Sequence, residues 1–142
     1  MIDAKLKFQI QKKIKINKKW IQIVWKKILN DEDLFNGIIT IIITQDEELR
    51  ELKLKFFNQD VFTDVIAFNL EDENDPIEGE IYISLDRVKE NAKEFNEKSI
   101  DELKRVIIHG CLHLVGYDDD TIEKKEKMTS LENKYINYMQ NL

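Results

Sequence analysis

Apolar and polar residues alternate in several short stretches, which predict four strands. Residues 5–11 alternate in the way typical of a strand with one buried face. Residues 37–44 form an isoleucine-rich run that predicts a buried strand. Residues 63–70 alternate again, and residues 79–84 follow as the second strand of a hairpin. The acidic segment 71–78 between them, which contains the only proline, predicts the hairpin loop.

Apolar residues three and four positions apart predict five helices between and after these strands. Asn17 is a favoured N-cap for the first helix, which should end near Leu29, and Ser84 can cap the third helix in the same way. At the other three helices the spacing of a capping box recurs, in Thr44 with Glu47, Ser99 with Glu102, and Asp120 with Glu123. The inner face of the second helix should carry Leu49, Leu52 and Phe56.

This order of elements predicts an α+β fold. A strand, a helix, a strand, a helix and two strands are followed by three helices, so we expect a small mixed β-sheet of about four strands covered by about five helices. Leu103, Ile107, Cys111 and Leu114 should point inward from the fourth helix, which we therefore expect in the centre. The chain has no internal repeat and no low-complexity linker, so residues 1–142 should form one domain.

The composition is typical of a soluble globular protein. Hydrophobic residues make up 42% of the chain and charged residues 35%. The first residues lack the apolar run of a signal peptide, and the longest apolar stretch, residues 38–43, is too short to span a bilayer. The single cysteine, Cys111, excludes an internal disulfide. We therefore expect a cytoplasmic protein with no membrane contact.

Charge is distributed unevenly along the chain. The net charge of −6 argues against a general nucleic-acid coat protein. Residues 1–30, however, contain nine lysines and a single acid, a local charge of +8 that leaves −14 for the remainder. This basic lobe could contact phosphates, or it could be an ordinary solvated lysine face.

The only two histidines indicate a metal site. His109 and His113 are four residues apart, so on a helix both imidazoles lie on one face and can bind one ion. Gly116 follows where the helix could end in a left-handed turn. The chain could then bring one of three acids, Asp118, Asp119 or Asp120, to the same ion. The alternative is that the histidines are packed or surface residues.

The spacing matches a zinc-protease pattern except at one position. The pattern H-E-x-x-H-x-x-G-x-x-H places its ligands at His109, His113 and Asp119, and its glycine at Gly116. Two imidazoles and one carboxylate form a common catalytic zinc set. The general-base glutamate of the pattern is replaced by Gly110. The sequence therefore predicts metal binding without the group that cleaves peptides.

The same residues resemble the YbeY family, bacterial endoribonucleases of rRNA maturation. The family motif H-G-x-L-H-L-x-G-Y-D-H is matched over residues 109–118 and departs from this chain at Asp119. Residues 60–68 are similar to the family stretch D-x-P-T-D-V-L-S-F, and residues 79–84 to G-D-I-x-I-S. The order of strands and helices also agrees from end to end.

The resemblance implies a zinc-dependent, single-strand-specific endoribonuclease that acts in 16S rRNA maturation and ribosome quality control. One Zn²⁺ per chain would be held by His109, His113 and Asp119, and Asp118 is a candidate proton acceptor. Ribosomal RNA and the small ribosomal subunit are the implied partners, rather than DNA. Tyr117 could stack or donate a hydrogen bond, or be a core tyrosine. Asp64 could face the cleft, but the favoured interpretation is an acid at the strand end that caps or pairs.

Two departures from the family leave alternatives open. The usual third ligand is histidine, whereas this chain has Asp119, and an arginine common in the family is replaced by Phe57. Lys53 or Lys55 could substitute for that cation. One alternative function is a ribosome-assembly or rRNA-binding factor with weak or no hydrolase activity. The other, a metalloprotease, is disfavoured by Gly110.

Overall fold

A four-stranded mixed sheet forms the framework of the computed structural model, which describes residues 1–11, 14–72 and 75–142. The strands are β1 (Ile2–Phe8), β2 (Gly37–Thr44), β3 (Val65–Asn69) and β4 (Ile77–Ser84), in the order β1-β2-β4-β3. β2 pairs in parallel with β1 and β4, whereas β3 is antiparallel to β4. The predicted hairpin of β3 and β4 is therefore present.

Five helices cover this sheet, as the sequence predicts, and the last of them packs on the first and fourth helices. They are α1 (Lys18–Asp31), α2 (Asp46–Phe57), α3 (Leu85–Glu94), α4 (Ser99–Leu114) and α5 (Ile122–Gln140). Helix α4 contacts α1, α3, α5, β3 and β4, so it lies at the centre of the fold. Its four predicted inward residues are all buried. The prediction of an α+β fold with a central fourth helix is confirmed.

Two of the predicted helix caps are confirmed and three are wrong. The side chains of Asn17 and Ser84 accept hydrogen bonds from backbone N–H groups in the first turns of α1 and α3. The N-cap positions of α2, α4 and α5 are instead occupied by Gln45, Lys98 and Thr121.

Tertiary contacts explain two of these differences, and a local hydrogen bond explains the third. Thr44 continues β2 by pairing with Ser84 and is buried there, so its hydroxyl does not cap α2. The side chain of Glu102 is also buried instead of turning back to the helix end. Thr121 accepts a hydrogen bond from the Lys124 backbone N–H and thereby displaces Asp120 as the cap of α5.

The apolar stripe of α2 is only partly buried. Leu49 is fully buried against the sheet, whereas Phe56 is 57% exposed, contrary to the prediction that it lies on the inner face. Helix α2 is therefore anchored at its N-terminal half and presents aromatic side chains to solvent near its C-terminus. No helix in the described part of the chain is both long enough and apolar enough to cross a membrane.

Candidate metal centre

Close packing between α4 and the sheet fixes the helix that carries both histidines. Gly110 lies where α4 crosses β4, and a Cβ atom added there would be 2.7 Å from Ile81 Cγ2. This distance is shorter than a carbon–carbon contact allows. Only glycine therefore fits at this position without displacing the helix or the strand. Cys111, the next residue, is fully buried, and burial raises the pKa of its thiol, so it is a core residue.

The end of α4 turns the chain back toward the histidines. Gly116 adopts a φ of +108°, and its N–H donates to the His113 carbonyl, while the Tyr117 N–H donates to the Leu112 carbonyl. These two bonds form a Schellman motif, which needs a residue that tolerates positive φ. The Tyr117 hydroxyl donates to Glu32 Oε1 over 2.6 Å, which ties the turn to the end of α1. This hydrogen bond gives Tyr117 a structural role at the end of α4.

Three donor atoms converge beyond this turn. His109 Nε2 and His113 Nε2 lie 3.0 Å apart, and Asp119 Oδ2 lies 3.4 Å from the first and 3.7 Å from the second. A tetrahedral Zn²⁺ with ligand bonds of about 2.0–2.2 Å separates its ligand atoms by roughly 3.3–3.6 Å. The three residues therefore have the spacing and donor types of a metal site, and the structure brings together the three predicted ligands.

The neighbouring aspartates occupy different positions. Asp118 Oδ1 lies 4.0 Å from His113 Nδ1, the ring nitrogen that faces away from the cluster, and its side chain is 66% exposed. Asp120 turns to the side and forms an ion pair with Lys124 at 3.2 Å. Of the three acids that the sequence offered, Asp119 is thus the one aligned with both histidines.

A buried carboxylate orients His109 from behind. Glu132 Oε2, on α5, lies 2.8 Å from His109 Nδ1, and only 8% of the residue is exposed. When Nδ1 donates its proton to this carboxylate, Nε2 keeps the lone pair that a metal requires. Arg105 donates to Glu132 Oε1 over 3.1 Å and to Asn133 Oδ1 over 3.0 Å, which holds the carboxylate in place.

Sequence analysis did not identify Glu132. It is 23 residues from His109, and the spacing of the metal motif does not extend to it. The signal that could have revealed it is an acid directly beside Leu131 on the buried face of α5. Buried acids are rare unless they are paired, so such a position indicates a partner.

The two histidines have pKa values displaced in opposite directions. Burial lowers the pKa of His109, but the hydrogen bond and charge of Glu132, with the charge of Asp119, outweigh burial and raise it. Burial and the nearby His109 together lower the pKa of His113. Because a metal binds neutral imidazoles, His109 is the histidine at which protons compete more strongly with the ion.

The three donors face an open cleft of about 410 Å³ between β3, α2 and the end of α4. Asp64 lines this cleft, and its carboxylate accepts a hydrogen bond from Asn91 over 3.2 Å, so it both faces the cleft and is paired, which were the two interpretations that the sequence left open. Burial raises the pKa of Asp64. Lys53 and Phe57 line the opposite side, whereas Lys55 is not among the lining residues. Lys53 is therefore the lysine placed to substitute for the missing arginine.

Comparisons with known proteins identify the family of this chain. Residues 3–140 match the family model described as Endoribonuclease YbeY. A Christiangramia forsetii protein named Endoribonuclease YbeY is 39% identical over 117 residues, which cover 82% of this chain and 78% of that protein. A Flavobacterium psychrophilum protein of the same name is 38% identical over 129 residues, which cover 91% of each chain.

A solved structure supports the fold as well. The solution structure of a Thermotoga maritima protein superposes with a TM-score of 0.64 at 29% sequence identity, covering 97% of this chain and 89% of that one. The match therefore spans the sheet, the central helix and the candidate metal centre. On the family model and the similarity of its relatives, this chain belongs to the YbeY endoribonuclease family.

Proposed function

We propose that this protein is a zinc-dependent endoribonuclease that cleaves single-stranded RNA and acts in 16S rRNA maturation and ribosome quality control. The observation that carries the proposal is the convergence of His109, His113 and Asp119 on one side of an open cleft. Structural zinc sites usually have four protein ligands, whereas catalytic sites have three and an open position. Three donors beside a cleft favour catalysis.

The residues of the cleft have distinct roles in this proposal. His109, His113 and Asp119 would hold a Zn²⁺, which would supply an activated water near neutral pH and would polarise a phosphoryl oxygen. His109 presents Nε2 to the ion because Glu132 holds its other nitrogen. Lys53, on the opposite wall, attracts the phosphate and orients the RNA backbone.

A proton acceptor must be found outside α4, because Gly110 replaces the glutamate of zinc proteases. Asp118 is our candidate, since it lines the same cleft as the cluster and its side chain is 66% exposed to solvent. An exposed carboxylate can release the proton again to bulk water. A phosphate oxygen of the substrate is the alternative acceptor.

The physiological setting follows from the family likeness. We propose that residues 1–142 act as one domain with one Zn²⁺, in the cytoplasm, on ribosomal RNA of the small ribosomal subunit. The named relatives are endoribonucleases, which favours RNA over DNA as the substrate.

A second function, rRNA binding during ribosome assembly with weak or no hydrolysis, is favoured by one observation. Phe57 lines the cleft at the position where many family members have an arginine, so the cleft contains one cation fewer. A metalloprotease is disfavoured on steric grounds, because the contact between Gly110 and Ile81 leaves no room for a glutamate.

The first test is the metal content of the purified protein and of two variants, measured by elemental mass spectrometry. The wild type should hold about one zinc per chain, His113→Ala should lose it, and Asp119→Ala should bind it more weakly. Asp120→Ala is the matched control, because Asp120 is paired with Lys124 instead. It should retain the metal.

RNA cleavage by the same samples then separates the candidate functions. Loss of cleavage in parallel with loss of zinc supports the hydrolase. Zinc binding with RNA binding but no cleavage favours the assembly factor. A folded wild type that takes up no zinc, even when zinc is supplied, contradicts the proposed mechanism.

A further inference from the structure

Four phenylalanines lie on α2, on the loop that follows it and on β3, and three of them, Phe56, Phe57 and Phe68, pack together beside the metal cleft. Phe56 and Phe57 end α2, Phe62 lies in the loop that follows, and Phe68 lies on β3. The first three are 57%, 45% and 53% exposed. We call these four residues the aromatic platform. So many exposed aromatic side chains in one region of a monomer indicate an interaction site.

The rings are arranged around Phe68. Its centroid lies 5.2 Å from that of Phe56, in an edge-to-face arrangement, and 6.0 Å from that of Phe57 at an interplanar angle of 22°. Tyr82 supports the same ring from the neighbouring strand at 5.9 Å. The platform is therefore anchored to the sheet from below, while Phe56 and Phe57 remain accessible from the solvent side.

Cationic side chains alternate with these rings. Lys53 Nζ lies 4.7 Å from the centroid of Phe57, and Lys55 Nζ lies 5.3 Å from that of Phe56. Phe62 has two guanidinium groups near it, Arg87 at 5.3 Å and Arg50 at 5.7 Å. Each exposed ring thus has a positive charge beside it, which a purely apolar contact surface would not require.

The loop after α2 is held in place rather than left free. Asn58 ends the helix in a left-handed conformation, with a φ of 53°. Arg50 then donates two hydrogen bonds to the Asp60 carboxylate, from Nε at 2.6 Å and from Nη2 at 3.2 Å. This two-point contact fixes the loop against α2. The position of Phe62 is consequently defined before any ligand binds.

The aromatic platform is continuous with the metal cleft. Phe57 belongs to the platform and also lines the cleft, and Lys53 contacts its ring from within the cleft. A polymer whose phosphate lies at the metal cluster would reach Phe57 along the wall of the cleft, and Phe56 is the neighbour of Phe57 in α2. Aromatic rings alternating with cations are the means by which proteins bind single-stranded nucleic acids, whose bases stack while their phosphates pair.

We propose that the aromatic platform binds the unpaired bases of the RNA substrate, with Phe57 and Phe56 stacking on the nucleotides next to the one at the metal. The inference rests on the proposed function and specifies how that site selects single strands, because bases in a duplex have no free face for stacking. Many family members have an arginine at this position, which would bind an RNA phosphate. In this chain, stacking of a base on Phe57 would replace part of that contribution to RNA binding.

The test compares RNA binding and cleavage by zinc-loaded wild type and the double variant Phe56→Ala/Phe57→Ala. The probes are a fluorescein-labelled ten-nucleotide single-stranded RNA and the same oligomer with abasic sites, which keeps the phosphates and lacks bases. Phe35→Ala and Phe95→Ala are matched controls, since these phenylalanines are 80% and 61% exposed but lie outside the platform. Thermal unfolding of each variant reports whether it folds.

We expect the double variant to bind the intact RNA more weakly by roughly 30-fold or more, because each stacked base contributes about 1–3 kcal/mol and the variant loses two. The half-saturating RNA concentration for cleavage should rise accordingly. The wild type should bind the abasic oligomer about as weakly as the variant binds intact RNA. Phe57→Trp should keep most of the affinity, whereas Phe57→Leu should not, because leucine is apolar but cannot stack.

Salt dependence separates stacking from charge. The double variant should keep the wild-type slope of log affinity against log salt concentration, whereas Lys53→Met should reduce it by roughly 0.7, the value for one phosphate contact on a single strand. A shallower slope in the double variant would mean that the rings only position the lysines, and would overturn the proposal.

If wild type and double variant bind and cleave RNA within twofold of each other, the stacking proposal is wrong but the proposed function still stands. The platform would then be free for another occupant, such as a protein. If instead the zinc-loaded wild type neither binds nor cleaves any RNA, the proposed function fails as well, so the two failures are distinguishable.

Discussion

At the scale of single residues, burial changes the pKa of Glu102 on α4. Glu102 is 5% exposed, and burial together with the charges of Asp64 and Glu97 raises its pKa to about 7. Its folded pKa lies above the value of 4.5 expected when it is exposed in the unfolded chain. The unfolded state therefore loses the proton first, and Glu102 destabilises the fold increasingly as the pH rises from about 5 to 7.

Replacing Glu102 with glutamine should remove this pH-dependent cost. Glu102→Gln should gain about 2–3 kcal/mol in the free energy of unfolding between pH 5 and pH 8, relative to wild type. Urea unfolding at both pH values measures the difference. Glu126→Gln, at an exposed position on α5, should behave like wild type. Equal differences at the two pH values for Glu102→Gln would contradict the raised pKa.

Residue-scale prediction from sequence works where the chemistry is local. The positions of His109, His113 and Asp119 follow from helix geometry and a glycine turn within eleven residues, so their convergence could be predicted. Phe56 could not, because its helical spacing is that of a buried residue and only the sheet beneath α2 determines how much of the helix it covers.

At the scale of elements, the candidate metal centre depends on how α5 packs against α4. Glu132 and Arg105 link these helices, and Glu132 contacts His109 directly. The sequence predicted both helices but not this contact, since no local pattern specifies which side chains of two helices meet. Two of the three wrong helix caps have the same origin, because burial of Thr44 and Glu102 is decided by neighbouring elements.

Neutralising this link should weaken zinc binding. Glu132→Gln keeps the shape of the side chain but not its charge, and we expect zinc affinity to fall about 10- to 100-fold at pH 7.5, the usual effect of removing such a partner. Competition with a chromophoric chelator measures it. Glu126→Gln, on an exposed position of the same helix, is the control and should bind zinc like wild type.

The pH dependence of the same variant checks the cause. Glu132 raises the pKa of His109, so in wild type protons displace zinc as the pH falls through a value above 6.5. In Glu132→Gln that pKa should be lower, and the loss of zinc should begin at a lower pH. The affinity ratio of wild type to variant should consequently shrink toward pH 6, and a constant ratio would argue against the role of Glu132.

At the scale of the whole molecule, the candidate ligands connect separate parts of the fold. Two are on α4 and the third follows the turn that Tyr117 ties to α1, while Glu132 extends the centre to α5. A ligand that binds only the folded arrangement stabilises all of these elements together.

The uneven charge along the chain is a separate property, and the structure leaves Lys18, Lys19 and Lys26 exposed on α1.

Zinc should accordingly raise the thermal stability of the whole protein. At a free zinc concentration about 100 times the dissociation constant, stabilisation should be about 2.7 kcal/mol, which is roughly 6–12 °C in Tm for a chain of this length. Calorimetry with and without a chelator measures it. His113→Ala should show no shift and Asp120→Ala the full shift. A wild-type Tm that does not respond to zinc would contradict a folded-state metal site.

The contact between Gly110 and Ile81 has a consequence for what this scaffold could become. The position that holds the base in zinc proteases lies here at the point where a helix and a strand touch, so a glutamate cannot be introduced by a single substitution. Either the Ile81 side chain would have to repack, or the helix would have to move away from the sheet and take His109 and His113 with it. The packing of the core, as well as the residues of the cleft, therefore disfavours peptidase activity in this protein. A designer who wanted such an enzyme would have to rebuild the core around position 81 before altering the metal centre.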